Sequence, residues 1–255
     1  MLQAAILETD AEAGTLVYRE EDGTPTETLV TGGLCKLQWK ADWAMRWKAL
    51  GAHYEMSGKD LIDSVRLSSR ICKVIGGRPP ETFIYELFLD ENGEKISKSR
   101  GNGLTIDDWL AYASPESLQL YMFQSPGRAK RLFFDIIPKA VDEYLSHLSK
   151  FGNQEPSEQL ANPAWFIHHG APPDEQVPVS FAMLLNLVSA CNTDDPDVLW
   201  GFLGRYAPGA SPTKNPILDQ MVAYAIRYYQ DFIVPTKSHR APDSREQKAM
   251  DDLIV

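Results

Sequence analysis

The chain has 255 residues, with 25 Lys plus Arg against 35 Asp plus Glu for a net charge of −10. A polypeptide of this length hides about 70–75% of its unfolded surface without help from metals or disulfides. Hydrophobic residues at 44% and charged residues at 24% are ordinary globular values, which excludes a disordered chain. No uncharged apolar run approaches the ~20 residues that span a bilayer, so no membrane partner is expected. Cys35, Cys72 and Cys191 are odd in number and far apart, which argues against a disulfide framework and a Cys-x-x-Cys zinc knuckle. The N-terminus MLQAAILETDAEAG lacks a basic segment followed by an apolar one and does not read as a secretory signal. A reducing cytoplasm, without a metal site, is the expectation.

The acid excess repels polyphosphates, so nucleic-acid binding would have to come from local patches. Residues 94–100 (EKISKSR) form one candidate, and residues 124–139, with Arg128, Lys130, Arg131 and Lys139 against Asp135, form another. On composition alone, either patch is equally a solvated basic face.

In chain order, TLVYR and TETLV are β-rich runs separated by turn formers and predict a hairpin within the first thirty-odd residues. KLQW (36–39) is a short strand candidate. Trp43, Trp47 and Leu50 then lie on one helical face, closed by Gly51. AHYEMS (52–57) is a second strand candidate, Lys59 to Ile75 a helix ended by Gly76-Gly77, and IYELFL (84–89) a third strand before the turn Asp90-Glu91-Asn92-Gly93. This β-α-β-α-β order implies a parallel sheet. Ligands of such sheets bind beyond the carboxyl ends of the strands, which selects Trp39 to Asp42, Ser57 to Asp60 and Asp90 to Gly103.

After residue 104 the strands stop. Thr105 and Ser114 are helix N-caps, and amphipathic stretches follow at 138–150, 178–191, 196–206 and 216–234. Residues 152–177 mix proline with Gly, Asn, Gln and His and read as a long irregular connection. The fold class is α/β followed by all-α. A hairpin has no reason to begin a doubly wound domain, and the last amphipathic turns stop early, so the sequence reads as a fragment.

Lys95-Ile96-Ser97-Lys98-Ser99-Arg100-Gly101-Asn102 follows a strand and combines two ammonium groups, two hydroxyls and glycine, all suited to an oligophosphate. Gly58-Lys59-Asp60 follows another strand: glycine admits close backbone approach, and the carboxylate can accept two ribose hydroxyls or simply favour the helix start. Trp39 and Tyr85 lie near strand ends and serve either a core or a pocket wall.

KISKS resembles the Lys-Met-Ser-Lys-Ser signature of class I aminoacyl-tRNA synthetases, with Ile96 at the Met position. The wider blocks GGLCKLQWKADWAMRWKALG, GKD and YELFLDENGEKISKSRGNGLTIDDWLAYASPESLQLYMF are similar to class I lysyl-tRNA synthetase of the bacterial branch, over residues 14 to 245. The resemblance implies the second half of a doubly wound nucleotide-binding fold with a helical tRNA-binding region. It assigns 1–34 to a remnant of a connective insertion, 35–104 to the second half of the catalytic fold, 105–151 to a helical linking region and 152–255 to a truncated helical anticodon-binding region.

The same resemblance implies ATP, with Mg2+ accompanying it, lysine and tRNA(Lys) as partners, and no DNA. Lys95 and Lys98 become the catalytic pair. Gly58, Asp60, Lys95, Ile96, Ser97, Lys98 and Ser99 become ATP-binding residues. Trp39 and Tyr85 line the lysine pocket, with Trp43 competing for the place of Trp39, and Arg128, Lys130 and Arg131 approach tRNA.

Two features depart from the family pattern. Leu61 stands where the family often has His or Gln, and no His-x-Gly-His occurs among His53, His147, His168, His169 and His239. The isolated chain is therefore expected to be inactive, and a non-catalytic tRNA-binding fragment or module is the alternative reading.

Overall fold

A computed structural model describes residues 4–97, 100–238 and 240–253. The β-rich N-terminal segment forms three antiparallel strands, β1 (Ile6–Asp10), β2 (Thr15–Arg19) and β3 (Pro25–Leu29), in the order β1-β2-β3. The expected hairpin is β2-β3. β1 adds to it through a turn in which the Asp10 carboxylate accepts the N–H groups of Glu12 and Ala13, each at 2.9 Å.

The strand expected at 36–39 does not form. Trp39 instead opens α1 (Trp39–Leu50), because Trp39, Trp43 and Trp47 fall at i, i+4 and i+8. Their rings meet in succession at a tilt of 31° and then 47°, with centroids 5.5 Å and 4.8 Å apart. Gly51 ends the helix in the left-handed conformation at φ 62°.

β4 (Tyr54–Gly58), a 3-10 turn at Lys59–Leu61, α2 (Ile62–Val74) and β5 (Glu81–Tyr85) form one crossover unit. β4 and β5 are parallel, in a register that sets Gly58 opposite Tyr85. α1 packs on α2 around buried Ala44, Trp47, Val65 and Cys72, and Ser68 ties the two helices by donating to the Lys40 carbonyl at 3.0 Å.

The chain divides into two compact units, Met1–Glu86 and Leu87–Val255. This boundary splits the expected strand 84–89. Its first residues complete β5, and its last become β6 (Phe88–Leu89), which pairs in parallel with β7 (Lys130–Arg131).

The second unit is helical apart from that pair. Its helices are α3 (Ile106–Leu110), α4 (Pro115–Phe123), α5 (Ile137–Gly152), α6 (Pro156–Gln159), α7 (Pro163–Ile167), α8 (Phe181–Cys191), α9 (Pro196–Tyr206), α10 (Pro216–Tyr228) and α11 (Ser244–Leu253). The expected long helices appear close to their predicted bounds. Trp109, Ile137, Phe181, Leu184, Val188, Leu199, Leu218 and Val222 form the centre of one core. The irregular connection gains order from α6, α7 and Glu175, and α5 contributes a second acid, Asp142; both acids serve helix starts elsewhere. Asp142 accepts from the N–H of Phe181 and Ala182, and Glu175 from those of Ile217 and Leu218, so orphan donors at the starts of α8 and α10 are satisfied.

Candidate active site

In the first unit, the crossover brings Gly58, Asp60 and Tyr85 together at the carboxyl ends of β4 and β5. Gly58 is extended here (φ −68°) and needs no left-handed backbone. Its role is room. A Cβ at this position would stand 2.7 Å from Asp60 Oδ1 and 3.7 Å from Tyr85 Cε2. The Asp60 carboxylate therefore folds back over the strand end beside the Tyr85 ring. Next to it, Lys59 Nζ pairs with Glu86 Oε2 at 2.7 Å. Tyr85 is 37% exposed and Trp39 46%. Trp39 packs against Trp43 with the rings tilted by 31°.

Ser57, immediately before Gly58, opens the segment Ser57 to Asp60 that the sequence selects, without a role of its own assigned to it. It is 3% exposed, and its hydroxyl has no hydrogen-bond partner among the described residues. The neighbouring strand residue Glu55 accepts from Trp47 Nε1 at 2.9 Å, fixing β4 against α1.

In the second unit, the signature loop rises from β6. Its described part, Lys95, Ile96 and Ser97, is held by backbone pairing: Leu89 bridges Lys95, and the Ile96 N–H donates to the Phe88 carbonyl at 3.3 Å. Lys98 and Ser99, expected to serve as catalytic and ATP-binding residues, lie outside the described residues. Gly103 permits the far side of the loop to pass Ile96, since a Cβ there would stand 2.6 Å from Ile96 Cγ2. Arg100 pairs with Glu94 at 2.8 Å across the loop.

Below the loop, Asp90 is 5% exposed and forms a hub that the sequence reading passed over as part of a turn. Its Oδ1 accepts from the N–H of Asn92 at 3.0 Å and of Glu94 at 2.9 Å, while its Oδ2 accepts from Asn102 Nδ2 at 2.6 Å. Asn102 Oδ1 in turn accepts the Ser97 N–H at 3.0 Å. The Glu94 N–H first, then Asn102, the Asn92 N–H and the Arg100 charge hold the Asp90 carboxyl below the usual carboxylate range, against the opposing effect of burial. The signal that could have revealed the hub was an Asp-x-x-Gly turn paired with a Gly-Asn on the other side of the signature.

Beyond the loop, Thr105 and Asp108 make a reciprocal capping box at the start of α3. This delivers Trp109 into the core, where Nε1 donates to Ser117 Oγ at 3.1 Å.

The basic residues expected to meet tRNA divide into different environments. Lys130 directs its ammonium at the carbonyls of Tyr121, Met122 and Gln124, at the end of α4 and just beyond it, and lies 4.8 Å from the Tyr121 ring centroid. Burial pushes its pKa down, with Glu143 opposing that shift. Arg131 pairs with Asp135 at 2.9 Å, so its charge is partly met within the chain. Arg128 is exposed and forms no ion pair among the described residues. His168 donates to or accepts from the Tyr144 hydroxyl at 2.9 Å. Among the described residues no three His, Cys, Asp or Glu side chains gather to hold a metal ion, and no helix is long and apolar enough to cross a membrane.

A family model described as tRNA synthetases class I (K) matches residues 1–171, two thirds of the chain. The chain belongs to that family. Whole-chain comparison agrees: it is 52% identical over 256 residues to a lysine–tRNA ligase of Rickettsia felis, 51% to one of Rickettsia peacockii and 50% to one of Rickettsia bellii. In each case all of the chain is covered and 49% of the relative, so the chain spans about half the length of these curated relatives. Within this class I family, the signature loop on β6 and the Gly58–Asp60 turn on β4 are the chain's two candidate ATP-binding segments.

Proposed function

We propose that the chain is the second catalytic half and helical region of a class I lysine–tRNA ligase. In this reading a lysine carboxylate oxygen attacks the α-phosphorus of ATP, the bond to the bridging oxygen breaks, and pyrophosphate leaves. The lysyl group then passes to the terminal adenosine of tRNA(Lys). Asp60 accepts the ribose hydroxyls, with Gly58 leaving room for its carboxylate. Lys98, assisted by Lys95, neutralises charge that develops on the leaving pyrophosphate. Ile96, Ser97 and Ser99 shape the loop, and Mg2+ arrives with the nucleotide phosphates.

Trp39 and Tyr85 pack on the lysine stem or face its ammonium. The cluster Arg128, Lys130 and Arg131 lies on the tRNA side, and the helices beyond 105 carry the linking and anticodon-proximal regions of a doubly wound enzyme. A cytoplasmic location follows from the substrates.

The observation that carries this reading is the Gly58–Asp60–Tyr85 cluster at the carboxyl ends of two parallel strands, in a chain about half identical to lysine–tRNA ligases along its whole length. The test is lysine-dependent ATP–pyrophosphate exchange by the purified chain, alone and mixed with the complementary half of the Rickettsia felis ligase. The chain alone should be silent and the mixture active. Exchange that depends on an amino acid other than lysine, or no exchange in the mixture, would sink the reading.

A further inference from the structure

Resting on the reading of residues 95–101 as a phosphate-facing loop, we propose that Asp90 and Asn102 are positioning residues for it. They form a relay that passes from a buried carboxylate, through one side-chain amide, to the backbone of Ser97.

The chemistry of the relay is directional. Asp90 can only accept, and it spends Oδ1 on the N–H groups of Asn92 and Glu94 and Oδ2 on the Asn102 amide. That fixes which end of the Asn102 amide faces inward. The outward end is then an oxygen, and it takes the Ser97 N–H at 3.0 Å. Residues 90 and 102 stand on the two feet of the loop, and Ser97 lies within it. One ordered amide thus ties both feet to the segment that carries the cations. The feet are themselves anchored: β6 pairs with β7, the Leu132 N–H donates to the Leu89 carbonyl at 2.8 Å, and the Thr105 cap leads to buried Trp109. A loop that must present charge to an oligophosphate gains from such preorganisation, since little reorganisation is then needed when the anion arrives.

The relay makes a prediction that simple loop packing does not. In D90N an amide nitrogen faces the Asn102 nitrogen, so Asn102 must lose that bond or flip and abandon Ser97. In N102D two carboxylates face each other across the former 2.6 Å bond. In the double variant D90N/N102D the donor and acceptor have changed places, and the outward carboxylate oxygen still accepts from Ser97.

The experiment uses the 255-residue chain, with tryptic cleavage after Lys95 and Arg100 and protection by inorganic pyrophosphate as the readouts. Each single variant should be cut roughly tenfold faster than wild type, the scale of one charge-assisted hydrogen bond, and should lose pyrophosphate protection. The double variant should recover most of both, and the melting temperature of the helical core should stay put in all three. Single variants that keep protection, or a double variant no better than the worse single, overturn the relay while leaving the loop reading in place. A wild-type chain that pyrophosphate does not protect overturns the loop reading itself and the role assigned to the pair.

Discussion

The ammonium of Lys130 meets the carbonyl oxygen of Gln124 at 2.5 Å, just past the last turn of α4, where helix carbonyls lack partners. The same group reaches the Met122 carbonyl at 3.3 Å and lies over the Tyr121 ring. A cation so placed serves the negative end of a helix and is half-buried, so it holds α4 to β7 as well as adding to a basic surface. The three cations of the proposed tRNA patch should therefore separate by experiment. Lys130→Ala should lower stability by about 1.5–3 kcal/mol, the range for hydrogen bonds to a charged group, as read from urea unfolding. Arg128→Ala should leave the unfolding midpoint alone and flatten the salt dependence of tRNA binding by slightly less than one log–log unit per phosphate lost. A salt slope indifferent to Arg128 would place the RNA path elsewhere.

Gly58 and Asp60 offer a cleaner separation of fold from function. A methyl group at position 58 meets no backbone, only the Asp60 carboxylate at 2.7 Å and the Tyr85 ring at 3.7 Å. The side chain of Asp60 can swing aside. Gly58 is buried, but the close contact falls on a movable side chain, so Gly58→Ala should cost no more than about 1 kcal/mol of stability, the centre of the range for single substitutions, yet reduce exchange in the complemented assay by roughly tenfold or more by displacing the ribose acceptor. Full exchange activity in the variant would release Asp60 from the nucleotide.

The long helices were legible because their apolar residues recur at helical spacing and their starts carry Pro, Ser, Asp or Asn. α8, α9 and α10 open with Ser180, Asp195 and Asn215 next to their apolar faces. The short elements were not. KLQW alternates like a strand, but Trp39 has more to gain from ring contact with Trp43 within a helix. IYELFL reads as one strand because nothing in its composition marks the break at Glu86–Leu87. That break exists because Phe88 and Leu89 pair with Lys130 and Arg131, some forty residues away, a partner no local pattern announces. For the same reason the loop signature was visible as a string, whereas the Asp90–Asn102 bond that braces it was not.

Ser57 is the buried hydroxyl left without a partner among the described residues. Removing such a group relieves its desolvation instead of breaking a bond. Ser57→Ala should leave the urea midpoint of the chain unchanged or raise it. A loss beyond about 1 kcal/mol, the typical net value of a made hydrogen bond, would mean that the hydroxyl is already satisfied.

In the proposed function, Lys98 is the lysine that stabilises the leaving pyrophosphate. A single preorganised charge at a developing anion is worth roughly 10²-fold in rate. Lys98→Ala should therefore cut ATP–pyrophosphate exchange in the complemented assay by about that factor, with kcat falling more than KM for ATP rises. Lys95→Ala should act in the same direction. A purely KM effect would make the loop a ground-state binding element.

The pair Tyr144–His168 supplies a pH dependence with a definite sign. Burial pushes the His168 imidazole below its ordinary value, opposed by Glu116 and helped by the neighbouring His169, while burial raises the Tyr144 hydroxyl further above its ordinary value. In the unfolded chain this histidine takes a proton near pH 6.5, about its free value. Folded, it takes one only at lower pH. Between those two values the unfolded state binds more protons, so its population gains as pH falls. The contribution is fully present above about pH 6.5 and is lost as pH drops through the folded value. His147 is shifted the same way, by burial first and then by the Lys150 charge, so the two should act together. Urea midpoints of the wild-type chain should fall between about pH 7 and pH 5, and His168→Gln should make that decline shallower, because an amide can keep a hydrogen bond to Tyr144 but cannot take the proton. An identical decline in the variant would assign the whole acid sensitivity to His147 and the carboxylates, and would leave the Tyr144–His168 bond without a role in it.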